Sequence, residues 1–388
     1  MRALAVLLLS LAVLALGVWW LRPTPEPADG VFSLQGLLGG EFGEYARAEA
    51  VRPFRFPDDH GPHPDFRSEW WYVTGNLRGP AGERYGFQFT VFRFAMAPRE
   101  RDGASAWGTR QAYMAHLAVA DIGAGRSYAY ERFARGALDL AGAQAQPFAV
   151  WLEDWRLSQA GAEPFPWLLR AAEGEVGLSL RLAADKPPVL QGEQGLSRKG
   201  PEPGNASYYY SYTRMSAEGE LTVGGRTVPV RGEAWLDREW STSALSPDLE
   251  GWDWFSLQLE DGGELMLYQL RRTDGGASPF SAATYVPADG APRSLSAGEF
   301  RLSALAHWRS PASGARYPIR WRVEVPALAA DLVVSAGIPA QELNLSVRYW
   351  EGAVDVVGTL GGQSARGVGY MELTGYGGGE SGRTPAGR

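Results

Sequence analysis

The chain has 388 residues, a formal net charge of −7 and no cysteine. A mildly acidic balance argues against nucleic acid, which calls for a concentrated basic face. The absence of cysteine excludes disulfides, thiolate metal sites, a cysteine nucleophile and a lipobox lipid anchor.

At the N-terminus, Arg2 precedes an apolar run from Ala3 to Trp20. It reads as an export segment over residues 1–22: either a cleaved signal, with Ala15-Leu16-Gly17 as the small-x-small cleavage site, or an uncleaved membrane anchor with Trp19 and Trp20 at the interface. Both readings place the rest of the chain outside the cytoplasm, periplasmic or secreted. Residues 23–52 begin Pro-rich and read as a linker.

The segment Asp58–Leu77 (DDHGPHPDFRSEWWYVTGNL) crowds carboxylates, His60, His63, Trp70, Trp71 and Tyr72 into one stretch. Large aromatic faces beside titratable groups point to a pocket where polar chemistry meets an apolar ligand. Beyond it, short runs rich in Val, Tyr, Phe, Trp and Thr alternate with turn clusters such as Pro80-Ala81-Gly82, Asp121-Ile122-Gly123, Asp261-Gly262-Gly263 and Asp289-Gly290. That is the signature of strands and hairpins.

The pattern occurs twice. Trp70–Leu77, a turn and GERYGFQFTVFR are echoed by Trp252–Leu259, a turn and GELMLYQLRR. RGEAWLDREW (Arg231–Trp240) is echoed by RGVGYMELTGY (Arg366–Tyr376), each after a Gly-rich hairpin. Repetition on this scale means duplicated domains rather than a solenoid. Each unit is expected to hold roughly eight to ten antiparallel strands that close into a barrel or sandwich, since closure removes exposed edges. The boundary is expected in Ser241–Gly251, giving units over 53–245 and 246–378 and a disordered tail over 379–388.

FPDDHGPHPDFRSEWWYVTGNL, NASYYYSYTRM and GEAWLDREWS resemble the AttH family of bacterial secreted lipocalin-like proteins, which shares a domain with the carotenoid 1,2-hydratases. The resemblance runs from Pro53 to Tyr376. It implies an all-β fold of two tandem calycin-type antiparallel β-barrels with a site at or near their interface. It also implies a hydratase-like or hydrolase activity and, in some members, a link to an ABC transporter permease. By motif, the family's acidic residue falls on Asp237 beside Trp235, and its upstream aromatic pair near Tyr208 and Tyr210. The chain has tyrosines there, where a true hydratase is expected to carry a histidine.

Hydrating an alkene requires an acid that protonates carbon, a surface that bears the developing cation, and a held water. A carboxyl in an apolar pocket stays protonated near neutral pH because desolvation raises its pKa. Asp237 is the first candidate, against the alternative of a structural Asp paired with Arg238 or Arg231. Glu69 shares a face with Trp71 by period two and is the second, with Arg67 or Arg238 as a structural partner in the alternative reading. His116, in an apolar strand, reads as a core histidine or as a pocket donor near Glu69. Substrate-binding candidates are Trp70, Trp71, Tyr72, Asn76, Tyr208, Tyr210, Trp235, Glu239, Trp252 and Trp254. No cofactor or metal is expected: the His60 and His63 spacing matches no metal motif. No G-x-S-x-G, P-loop or Rossmann glycine pattern occurs.

A purely structural accessory subunit is one reading, and two further functions stay open. One is an enzyme of acid-initiated chemistry on a hydrophobic substrate, a lipid or isoprenoid. The other is a non-catalytic carrier serving an ABC exporter. They differ in the pocket: a catalyst needs carboxyls with shifted pKa beside the ligand space, whereas a carrier would pair them with arginine.

Overall fold

A computed structural model of the protein describes residues 45–97, 108–243 and 245–376. The expected export segment, the linker up to residue 44 and the tail lie outside the described residues.

Almost every element is a strand. The first sheet contains β1 (Ser68–Arg78), β2 (Arg84–Ala95), β3 (Gln111–Asp121), β4 (Arg126–Arg135), β5 (Ala141–Gln144), β6 (Ala149–Leu152) and β7 (Trp155–Gln159). It continues with β8 (Trp167–Glu173), β9 (Val176–Ala184), β10 (Val189–Leu190), β11 (Leu196–Arg198), β12 (Ala206–Val223) and β13 (Arg226–Ser241). The second sheet contains β14 (Leu249–Leu259), β15 (Glu264–Arg272), β16 (Ala282–Val286), β17 (Arg293–Ser296), β18 (Arg301–Arg309), β19 (Arg316–Val325), β20 (Ala330–Ala336), β21 (Glu342–Asn344), β22 (Arg348–Leu360) and β23 (Gln363–Leu373).

Both sheets follow one plan. Strands pair antiparallel with their chain neighbours, and the last strand returns to the first: β13 pairs β1, and β23 pairs β14. Among the described residues the ladder is interrupted once in each sheet, between β4 and β5 and between β17 and β18. These are two tandem lipocalin-like barrels, each with one open seam. The first sheet has 13 strands, more than the expected eight to ten, because short strands are added between β4 and β12; the second has 10.

The Gly-rich hairpins show the duplication in backbone detail. Val223 pairs Arg226 around Gly224 (φ 57°) and Gly225 (φ 74°), and Leu360 pairs Gln363 around Gly361 (φ 59°) and Gly362 (φ 78°). A two-residue loop with both central φ positive matches the twist of the strands it joins, and glycine enters it without a Cβ clash.

Period-two alternation assigns each side chain to a face. Trp71, Val73, Phe89, Val91, Tyr208, Tyr210, Leu236 and Trp240 point into the first barrel, and Phe255, Leu257, Leu267, Trp350, Val354, Met371 and Leu373 into the second. Both interiors are filled by side chains, as expected of barrels this narrow. The alternate residues of β1, β12, β13, β14, β15, β22 and β23 form a further buried layer between the barrels: Tyr72, Tyr209, Trp235, Trp254, Met266, Tyr268, Leu270, Ala353 and Tyr370. At its margin Asn76 donates to the Gly369 carbonyl at 3.0 Å, and Arg214 and Lys186 reach Glu264 at 2.6 and 2.9 Å.

Candidate active site between the barrels

A cavity of about 120 Å³ opens within this inter-barrel layer. The first barrel lines it with Trp70, Tyr72, Thr90, Phe92, Lys199, Tyr209, Asp237 and Glu239. The second contributes Trp252, Trp254, Tyr268, Leu270, Tyr349, Glu351 and Glu372. The strand registers show the two walls to be copies of one another. Tyr72 lies opposite Asp237 and Thr90, as Trp254 lies opposite Glu372 and Tyr268. Ser211 pairs with Asp237 in the first copy, and Glu351 pairs with Glu372 in the second.

Asp237 is 4% exposed. Its Oδ1 accepts from Ser211 Oγ at 2.5 Å and from Trp235 Nε1 at 2.7 Å, and its Oδ2 accepts from Tyr209 Oη at 2.5 Å. The donors are themselves oriented. Gln191 donates to Ser211 Oγ at 2.8 Å, and Trp254 Nε1 donates to Tyr209 Oη at 3.2 Å. Burial nevertheless outweighs these bonds and pushes the Asp237 carboxyl up to about 7.

Glu351 is 2% exposed, and among the described residues neither carboxyl oxygen has a well-aligned hydrogen-bond partner. The Tyr72 and Tyr349 hydroxyls lie beside it and favour its anion through poorly aligned hydrogen bonds, an effect that burial outweighs. Desolvation first, and the Glu372 charge second, hold its pKa well above the ordinary carboxylate range. Glu372 opens onto the cavity, accepts from Trp252 Nε1 at 3.1 Å and is pushed up to about 8, mainly by burial. At the far wall Lys199 lies 3.5 Å from Glu239 and 4.2 Å from the Tyr268 ring centroid.

Several expected site residues lie elsewhere. Glu69 does share a face with Trp71, but that face is the interior of the first barrel. Its carboxylate is wholly buried between Arg93 and Arg238 and accepts from the His63 amide at 3.0 Å, so its pKa falls well below the usual range despite burial. It sits in a buried ion pair and does not line the cavity. Trp71 belongs to the same interior, donating Nε1 to the His60 carbonyl at 2.8 Å with the Arg238 guanidinium 3.9 Å above its ring. Tyr208 and Tyr210 also face inward, Tyr210 sharing a 2.7 Å hydrogen bond with His60 Nδ1. The tyrosine that reaches the cavity is the one between them, Tyr209. Asn76 seals the barrel contact away from the cavity.

His116 is on the opposite face of the sheet from Glu69 and behind the cavity wall. It is fully buried, shares a 2.7 Å hydrogen bond with Tyr349 Oη, and is held neutral by a pKa lowered to about 3 through desolvation. Trp235 supports the wall from behind, edge-on to Trp254 with ring centroids 6.3 Å apart. Of the expected residues, Trp70, Tyr72, Asp237, Glu239, Trp252 and Trp254 are the ones brought together around the cavity. Glu351, Glu372, Tyr209, Lys199 and Tyr349 were missed.

Fold and site together define a two-barrel lipocalin-like protein with a carboxyl-rich aromatic cavity at the barrel seam. The chain belongs to the AttH-like family, whose model matches residues 47–376. It is similar over 85% of its length to a crystal structure of an AttH-type protein from Nitrosomonas europaea, at 36% identity and a TM-score of 0.76, covering 99% of that chain. Kievitone hydratase from Nectria haematococca shares the fold at 15% identity and a TM-score of 0.64, over 85% of this chain and 96% of that one. Among curated proteins, dehydratase asqC of Emericella nidulans is 24% identical over 216 residues, 53% of this chain. The chain spans only 60% of that relative's length.

Proposed function

We propose that the protein takes the unsaturated or hydroxylated end of a hydrophobic molecule, a lipid or isoprenoid, into the inter-barrel cavity and adds or removes water there. The observation that carries this reading is the convergence of Asp237, Glu351 and Glu372 on an aromatic cavity with no arginine or lysine in ion-pair reach of them among the described residues. Carboxyls elsewhere in the protein, Glu69, Asp253 and Glu264, are paired with arginine. Unpaired acids with raised pKa fit proton transfer to and from a bound molecule. Arginine-paired ones would have fitted a passive carrier.

In the hydration direction a carboxyl protonates one alkene carbon. The cation that forms at the other carbon is stabilised by the Trp70, Trp252, Trp254 and Tyr72 faces, each worth ~0.5–2 kcal/mol. Water then attacks that carbon and gives up a proton. Elimination is the reverse. A cavity near ~150 Å³ holds about one benzene-sized group, so the space suits the reacting end of a longer molecule. The names of two relatives, a dehydratase and a hydratase, describe opposite directions of this chemistry and support the reading.

The test is incubation with a panel of acyclic isoprenoid alkenes in ¹⁸O-labelled water, read by mass spectrometry. Gain of one labelled water by a panel member, absent in Asp237→Asn, is expected. No incorporation with any alkene, and no loss of water from the matching alcohols, would refute it.

A further inference from the structure

We infer that the two copies of the barrel have divided the acid and base roles: Glu351 and Glu372 of the second barrel donate the proton to carbon, and Asp237 of the first is the base that takes the proton from water. This rests on the hydration reading above and assigns the parts within it.

The difference lies in the hydrogen bonds each copy supplies. At Asp237 three groups donate to the carboxyl. Trp235 has only an N–H to offer. Ser211 Oγ accepts from Gln191 and Tyr209 Oη accepts from Trp254, and each aims its own proton at Asp237. Such a shell favours the anion. At the equivalent position of the second copy the serine is replaced by Glu351. Its two oxygens have no well-aligned donor among the described residues, only the adjacent Tyr72 and Tyr349 hydroxyls, and it sits directly across the ladder from Glu372. Double ionisation of a buried carboxyl and a half-buried one in that relation is disfavoured, so the pair retains a proton.

The surrounding groups act in the same direction. Tyr72, Tyr349 and Tyr370 around Glu351 are neutral phenols whose ionisation burial disfavours. Asp237 and Glu239, facing Glu372, raise its pKa further. Lys199, the cation that lines the cavity among the described residues, is held by Glu239. His116 behind Tyr349 is neutral.

The cycle balances. The Glu351–Glu372 pair loses one proton to the alkene carbon, and a new C–H bond forms. Water forms the C–O bond at the adjacent carbon, and its surplus proton goes to Asp237. Return of that proton from Asp237 to the pair restores the starting state.

The experiment is infrared difference spectroscopy of the unliganded protein at neutral pH, comparing it with Glu351→Gln, Glu372→Gln and Asp237→Asn. Near-ultraviolet circular dichroism checks that each variant is folded. The protonated-carboxyl carbonyl band is expected to lose more intensity in Glu351→Gln and Glu372→Gln than in Asp237→Asn, whose carboxyl, held at about 7, gives up protonated and carboxylate intensity together. A band that disappears with Asp237→Asn and survives both glutamine variants would overturn the assignment, even if the labelled-water test succeeds. Failure of the labelled-water test with the expected infrared pattern would instead refute the hydration reading and leave the protonation pattern standing.

Discussion

Replacing Asp237 with Asn changes how stability depends on pH, by an amount that follows from the burial of the group. The folded protein holds this carboxyl at about 7, against 3.8 for an unperturbed aspartate. Between those values the folded state binds more protons than the unfolded one, so the group's contribution to stability is complete below pH 4 and is lost as pH rises through 7. A difference of about three units corresponds to roughly 4 kcal/mol. His60 and His116, each lowered to about 3, act in the opposite sense: their contribution grows as pH rises through the unfolded-state value near 6.5. They are common to both proteins, and the comparison cancels them. Denaturant titrations of the two proteins from pH 4 to 8 therefore give the effect of Asp237 together with its coupling to Glu372, whose pKa it helps to raise. The variant should gain on the parent by about 4 kcal/mol across that range, most of it by pH 7. A difference that stays level with pH would show Asp237 to be an ordinary ionised carboxylate and would remove the basis for proton transfer at this position.

Tyr209→Phe deletes one of the three donors to Asp237 and should raise its pKa further, by about 1–2 units given ~1.5–3 kcal/mol for a hydrogen bond to a charged group; an infrared pH titration of the carboxyl reads the shift, and no shift would contradict the donor role. Glu69→Gln leaves Arg93 and Arg238 buried without their carboxylate and should cost about 3–5 kcal/mol in denaturant unfolding. Any isoprenoid turnover should be unchanged in the fraction that folds, and its selective loss would return Glu69 to the reaction. Trp71→Ala should cost about 3–5 kcal/mol of stability without weakening the calorimetric affinity for an isoprenoid alcohol, whereas Trp254→Ala should weaken that affinity; the opposite pattern would place the ligand inside the first barrel.

Much of the fold was legible because strands and turns are local features. The alternation in Gln88–Phe94, the Asp-Gly and Gly-Gly turns and the repeated Trp-rich windows each specify their element directly. The face of each strand was harder. Period two groups Tyr208 with Tyr210, and Glu69 with Trp71, but both faces of these strands are buried, one by the barrel interior and one by the other barrel. Hydrophobicity alone therefore could not tell inside from outside: Glu69, Trp71, Tyr208 and Tyr210 face the interior of the first barrel, whereas Trp70 and Tyr209 on the other face line the cavity. Buried arginines decide the matter in the structure: Arg93 and Arg238 need a carboxylate inside the barrel, and Glu69 supplies it. Glu372 left a signal, since RGEAWLDREW aligned on RGVGYMELTGY sets Asp237 against it. Glu351 left none, because the tyrosine-rich strand that holds Ser211 has no recognisable echo around Trp350.

A crystal structure of the protein soaked with a long-chain isoprenoid alcohol bears on all of this at once. Electron density should lie between Trp70 and Trp254, with the hydroxyl end against Asp237 and the Glu351–Glu372 pair. Density threaded into either barrel interior, or confined to the outer surface, would contradict a reaction at the seam.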